Sequence, residues 1–306
     1  MTAMMKSRAY IIIAAILWGG TGAFFNELSA LGALPIQVTL LRSGLAATVL
    51  GVYLLIFNRQ AFTVRLRDFW CFIGTGLLSL LFFNWSFFSA INETGIAVAA
   101  VLLYTAPAFV TVLSIPLFKE PPGRLGITVL VLTIIGCALV SGIAGVSNIS
   151  AMGLLYGLGA GFGYALYTIF GRYALNRGYG PLTISFYTFA LAALGSLPFI
   201  TQAGLPPTIV LPEFWLYALG LGTLGCLLPY WLYTKGLAGV TGAVASMTAT
   251  IEPVIAILFG VLLYRELVAL PQWIGVAMIL FGIILLSRQK NITEQQNAPH
   301  QMMRGA

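Results

Sequence analysis

Apolar residues run through this chain in long unbroken blocks, and polar residues are confined to the short gaps between them. Ten blocks can be read, at approximately 9–29, 36–57, 69–89, 95–117, 125–145, 152–172, 181–201, 213–234, 242–263 and 271–287. A bilayer core about 30 Å thick takes roughly 20 apolar residues per spanning helix, which is the length of these blocks. Barrel strands would be about ten residues of alternating polarity, and no block alternates. The pattern predicts an all-α integral membrane protein of ten transmembrane helices.

Composition agrees. The 306 residues are 59% hydrophobic and 8% charged, whereas a water-soluble domain carries about a quarter charged residues. The net charge of +7 would suggest nucleic acid in a soluble protein, but the placement of the charges argues for topology instead. With ten helices and a cytoplasmic N-terminus, thirteen of the fifteen Lys and Arg residues fall on the cytoplasmic side. These are Lys6, Arg8, Arg59, Arg65, Arg67, Lys119, Arg124, Arg172, Arg177, Lys235, Arg288, Lys290 and Arg304. Such a bias is the positive-inside rule and places both termini in the cytoplasm of a multi-pass inner-membrane protein. The first block is longer than a signal-peptide core and lacks a convincing cleavage site, so it reads as a retained helix. Cys71, Cys137 and Cys226 are scattered in apolar blocks and read as packing residues, and His300 stands in a polar tail over 288–306 expected to be disordered. No metal site and no cofactor is expected.

Shifting the sequence by 146 residues brings its halves into register. Pro35 then meets Pro181, Trp85 meets Trp231, Pro107 meets Pro253, and "FKE" at 118–120 meets "YRE" at 264–266. Five helices is an odd number, so the second half must insert upside down. Residues 1–146 and 147–287 are thus expected to form two inverted five-helix repeats, an arrangement that supports alternating access. The segments "LWGGTGAFF" in the first helix, Pro35 followed by Arg42, "TAPAFVTVLSIPLFKE" and "ATIEPVIAILFGVLLYRE" resemble the drug/metabolite transporter superfamily, in its form with tandem EamA repeats. That resemblance covers about residues 9–287. It implies ten helices, cytoplasmic termini, a substrate cavity between the repeats, and export of amino acids, related metabolites or amines.

Few residues carry chemistry. "GLGTLG" at 220–225 satisfies a dinucleotide-loop glycine pattern, but it lies within an apolar block and reads as helix packing, as does "GLGAGFG" at 157–163. No Walker, HExxH or GxSxG sequence is present, so neither ATP hydrolysis nor intramembrane hydrolysis is expected, and the chain reads as a non-enzyme. Pro107 and Pro253 each remove a helical donor and are expected to kink their helices, as hinges or as part of the cavity wall. Arg42 lies roughly 9 Å inside its helix, and Glu27 near the end of the first. An ion pair between Glu27 and Arg42, or snorkelling of Arg42, accounts for both charges and is preferred to a substrate role. Glu252 is the acid that most needs a reason, since a mid-membrane carboxylate costs about 2.5–3.5 kcal/mol on insertion scales. It is either a structural hydrogen-bonder beside Pro253 or a cavity carboxylate at which a proton and a cationic substrate compete.

Trp18, Tyr104 and Tyr164 are the expected cavity aromatics, walled by helices one, three, four, six, eight and nine, with Asn84 and Tyr230 as further candidates. Such a cavity suits an organic cation or the ammonium of an amino acid, and its aromatic lining equally suits stacking against an aromatic metabolite. The expected partners are therefore a small-molecule substrate and the lipid bilayer, with protons as a candidate coupling ion, and neither nucleic acid nor ATP. The leading reading is a secondary transporter, an exporter of amino acids or amines. Uptake of an organic cation is the alternative, and a non-transporting sensor or scaffold is the alternative of another class.

Overall fold

The computed structural model describes residues 3–142, 150–204, 206–265 and 267–287. Ten helical spans follow one another: α1 (Ala3–Ala30), α2 (Pro35–Phe57), α3 (Leu66–Thr94), α4 (Ile96–Phe118), α5 (Arg124–Val140), α6 (Ala151–Asn176), α7 (Pro181–Ala203), α8 (Pro212–Leu237), α9 (Gly242–Leu263) and α10 (Leu270–Ser287). Eight are long and apolar enough to cross a membrane by themselves, while α5 and α10 are shorter apolar helices. No strand occurs among the described residues. The helices start where chain chemistry predicts. Proline opens α2, α7 and α8, where its missing N–H costs nothing. Ser150 caps α6 by accepting from the Gly153 N–H, and Thr241 does the same for α9 from Val244.

The backbone carries the 146-residue repeat in its irregularities. The two non-glycine residues with positive φ among the described residues are Lys119 (57°) and Arg265 (54°), the helix-ending partners of "FKE" and "YRE". Gly32 and Gly178 occupy equivalent turns with φ of 83° and 86°. π-helical turns interrupt α3 at Gly74–Leu81 and α8 at Thr223–Leu227, again at matching positions. Packing repeats as well: α3 lies along α6 as α8 lies along α1, while α2 pairs with α7 and α5 with α10. The fold is two inverted five-helix repeats.

Pro107 and Pro253 do more than kink their helices. Span α4 ends its first half at Leu103 and restarts at Ala106; α9 ends its first half at Ala249 and restarts at Glu252. Each proline therefore stands in the first turn of a new half-helix, where no donor is missed. Threonine hydroxyls satisfy carbonyls at the breaks, Thr105 donating to Leu102 O (2.6 Å) and Thr250 to Met247 O (2.6 Å).

The glycine clusters lie at helix contacts. A Cβ on Gly220 would come within 2.5 Å of Phe24, on Gly222 within 2.8 Å of Leu45, and on Gly225 within 2.8 Å of Thr21. Cys71, Cys137 and Cys226 are free and buried. His300, Glu266 and the 288–306 tail lie outside the described residues.

Candidate functional site

Contacts near the helix ends define two faces: an odd-turn face, where Thr208 meets Leu31, Ser150 meets Glu93 and Gln272 meets Val140, and an even-turn face, where Arg177 meets Asp68 and Arg172 meets Glu120. Between the repeats is a cavity of about 250 Å³. It is lined from α1 (Trp18, Thr21, Phe25, Asn26), α3 (Phe83, Asn84, Phe87, Phe88, Ile91), α4 (Ile96, Leu103, Tyr104), α6 (Tyr164), α8 (Leu221, Gly225, Tyr230) and α9 (Glu252). Arg42 of α2 completes the wall. The six helices expected from the sequence all contribute, and α2 is an addition. Asn26, Phe88, Ile91 and Ile96 stand near the helix ends of the odd-turn face, so the cavity runs from mid-bundle toward that face.

Glu252 is placed by the break in α9. It is the first residue of the second half-helix, so the positive end of that helix dipole lies at its carboxylate. The Tyr164 hydroxyl donates to Glu252 Oε2 across the cavity at 3.3 Å. Tyr104 closes the first half-helix of α4, two residues before Ala106, the repeat counterpart of Glu252. The close approach of α1 is set by Gly19, where a Cβ would come within 2.8 Å of the Glu252 carbonyl oxygen.

Trp18 forms the floor with three tyrosines, its ring centroid 5.0 Å from Tyr230, 5.5 Å from Tyr233 and 6.1 Å from Tyr164. One turn below, two cross-helix pairs tie α6 to α8: Tyr167 with Thr234 at 2.6 Å, and Thr168 with Tyr233 at 2.7 Å. These satisfy the buried hydroxyls of Tyr167, Thr168, Tyr233 and Thr234, as a low-dielectric interior demands. Lower still, Arg172 pairs with Glu120 at 2.9 Å and donates to the carbonyls of Leu237 and Val240. Arg177 pairs with Asp68 at 3.0 Å, and the Tyr179 hydroxyl donates to the other Asp68 oxygen at 2.9 Å. The even-turn face is closed by an aromatic layer and two ion pairs.

Of the residues picked from the sequence, Trp18, Asn84, Tyr104, Tyr164, Tyr230 and Glu252 converge on this one cavity. Asn84 is held from behind by its amide donating to Leu80 O at 2.5 Å. Pro107 and Pro253 are buried and do not line the cavity; they set the half-helices whose ends do. The Glu27–Arg42 ion pair does not form. Glu27 is exposed at the end of α1, and Arg42 turns the other way, into the cavity, against the Cys226 thiol and the Tyr230 hydroxyl. Cys226 lies in the π-turn of α8 and Tyr230 just beyond it, an irregularity the sequence does not announce. The phenylalanines of α3 were also unforeseen as lining, because one aromatic run supplies both the cavity side (Phe83, Phe87) and the outer surface, where Trp85 is 46% exposed.

Two inverted five-helix repeats around a central, one-sided cavity define a membrane transporter of the drug/metabolite type. The model of the EamA-like transporter family matches the chain twice, over residues 5–142 and 151–288. The chain belongs to the EamA-like transporter family. It is 27% identical to the uncharacterized transporter YwfM of Bacillus subtilis, over 97% of this chain and 99% of that protein. An uncharacterized transporter of Archaeoglobus fulgidus is 30% identical over 94% and 98% of the two chains. The uncharacterized inner membrane transporter YicL of Salmonella typhimurium is 25% identical over 92% and 95%. A solved crystal structure superposes with a TM-score of 0.77 at 19% identity, over 91% of this chain and 95% of that one, and shares the fold.

Proposed function

We propose that the protein is a secondary transporter of small organic solutes bearing an ammonium group, amino acids or amines, that exports them by alternating access. The observation that carries this reading is the single carboxylate, Glu252, set at a helix break and walled by Trp18, Tyr104 and Tyr164. A carboxylate inside an aromatic cage is a cation site by charge and by cation–π attraction. The cavity volume of about 250 Å³ matches a metabolite better than a drug-sized molecule. Residues 1–146 and 147–287 are the two units that rock about this site, and protons competing for Glu252 supply the coupling. The reading assigns no catalysis to the chain.

Purified protein in liposomes tests it, with radiolabelled amino acids and amines inside and an imposed pH gradient. Accumulation outside that requires the gradient is the expected result; no movement of any ammonium solute would overturn it. A second reading, uptake of an organic cation, is favoured by the cavity opening on the odd-turn face, which the charge bias makes external. Reversing the gradient distinguishes the two by the direction of net flux.

The orientation is proposed on the same charge bias. A reporter fused after residue 290 is expected to read cytoplasmic, and one inserted between residues 204 and 212 to read external. Reporters on the same side would break the assignment.

A further inference from the structure

The cavity holds a second charge that the reading above does not use. Arg42 sits inside the span of α2, lines the cavity, and takes part in neither of the ion pairs found among the described residues. Its neighbours are neutral, the Cys226 thiol and the Tyr230 hydroxyl, and its Nε is shut from solvent without a hydrogen-bond partner. Among the described residues Glu252 likewise hydrogen-bonds to a neutral partner, Tyr164. The two charges share one cavity, reach it from opposite repeats, and make no direct contact. A guanidinium held in a low-dielectric site without an anion is incompletely compensated, and its planar fork matches a carboxylate. The repeat supplies no copy of it: position 188 in α7 is a threonine, spent on Thr75 and the Ile184 carbonyl. The asymmetry confines the positive charge to one wall.

We propose that Arg42 is the carboxylate-binding residue of the substrate site, so that the preferred solute is a zwitterion, an α-amino acid bridging Arg42 and Glu252. This rests on the ammonium-binding role given to Glu252 above. Simple amines then leave Arg42 unpaired, and simple carboxylic acids leave Glu252 unpaired; both bind more weakly for the same reason.

The test is ligand binding to the purified protein by thermal stabilisation, using the standard amino acids. Each amino acid that binds is compared with its decarboxylated amine and its deaminated acid. The wild type is expected to favour the amino acid at least tenfold over both analogues. Arg42→Gln should remove the preference over the amine, whereas Glu252→Gln should remove the preference over the acid. An amine that binds the wild type as tightly as its amino acid would overturn the assignment of Arg42 while leaving the ammonium site intact. Failure of every ammonium compound to bind would overturn both readings. Should Arg42→Gln fail to fold, Arg42→Lys retains the charge without the fork and is expected to weaken amino acids while sparing amines; unchanged selectivity there also overturns the proposal. The comparison within the wild type needs no variant.

Discussion

Glu252→Gln is expected to leave the protein inserted and monodisperse while removing transport of ammonium solutes and its dependence on pH. The amide keeps the size of the side chain and can still accept from the Tyr164 hydroxyl, whose contact at 3.3 Å is the bond in question. What it loses is the charge. Removing one member of a partly buried, hydrogen-bonded charge pair costs about 2–5 kcal/mol, and about 3 kcal/mol is a loss of affinity on the order of 100-fold. The pH dependence has a definite sign. The ionised carboxylate attracts a cation and the protonated one does not, so wild-type binding should weaken as pH falls and the variant should show no such trend. The titratable groups that face the carboxyl are Tyr164, Tyr104, Tyr230, Cys137 and Arg42, and none of them offers a second anion to replace it. Normal affinity and a normal pH profile in the variant, measured by binding and liposome flux, would reduce Glu252 to a structural residue.

The second large effect concerns folding. Gly161→Leu is expected to abolish recovery of folded, monodisperse protein. A Cβ on Gly161 would come within 2.6 Å of Thr105 Oγ1 and 2.7 Å of the Leu102 carbonyl oxygen, both at the break in α4. The carbonyl belongs to backbone, so it cannot step aside as a side-chain tip would. That carbonyl also accepts from Thr105, so moving it disturbs the bond that makes the break tolerable in lipid. Overpacking typically costs about 1–3 kcal/mol, and a clash with backbone belongs at or above the top of that range. By contrast, a Cβ on Gly44 meets nothing within 4 Å, so Gly44→Ala should behave as wild type. Size-exclusion profiles and melting temperatures in detergent give the readout. Wild-type stability of Gly161→Leu would mean that α4 and α6 do not pack as described.

Some features were legible before any coordinates because they are one-dimensional. A lipid solvent forces continuous apolar runs, each about as long as the bilayer is thick, and forbids unpaired backbone, so span number and helical class can be read directly. The repeat is written in residues with few substitutes, such as Pro107 and Pro253, and an odd number of helices per repeat makes the inversion unavoidable. Glu252 was conspicuous because a charge in an apolar run needs a reason. Trp18 and Tyr164 could be proposed because they are repeat partners, and Tyr104 because it stands one turn before Pro107.

Other features depend on which side of a helix meets which neighbour. In a membrane protein the inner and outer faces are both apolar, so periodicity scarcely separates Phe83 from Trp85, and only packing sends one to the cavity and the other outward. Whether Pro107 and Pro253 kink a helix or start a new one turns on the hydroxyls of Thr105 and Thr250 finding carbonyls. Arg42 shows the limit most clearly. From sequence its nearest acid is Glu27, one connection away, and pairing the two is the economical reading. The π-turn in α8 and the close approach of Gly222 to Leu45 instead bring Tyr230 and Cys226 to the guanidinium. The sequence by itself determined the class of protein, the number of helices and the inverted plan, because those follow from burial in lipid and from counting. Only the tertiary structure decided that Arg42 and Glu252 share one cavity, because that depends on helix rotation, which small residues and local π-turns set and hydrophobicity does not.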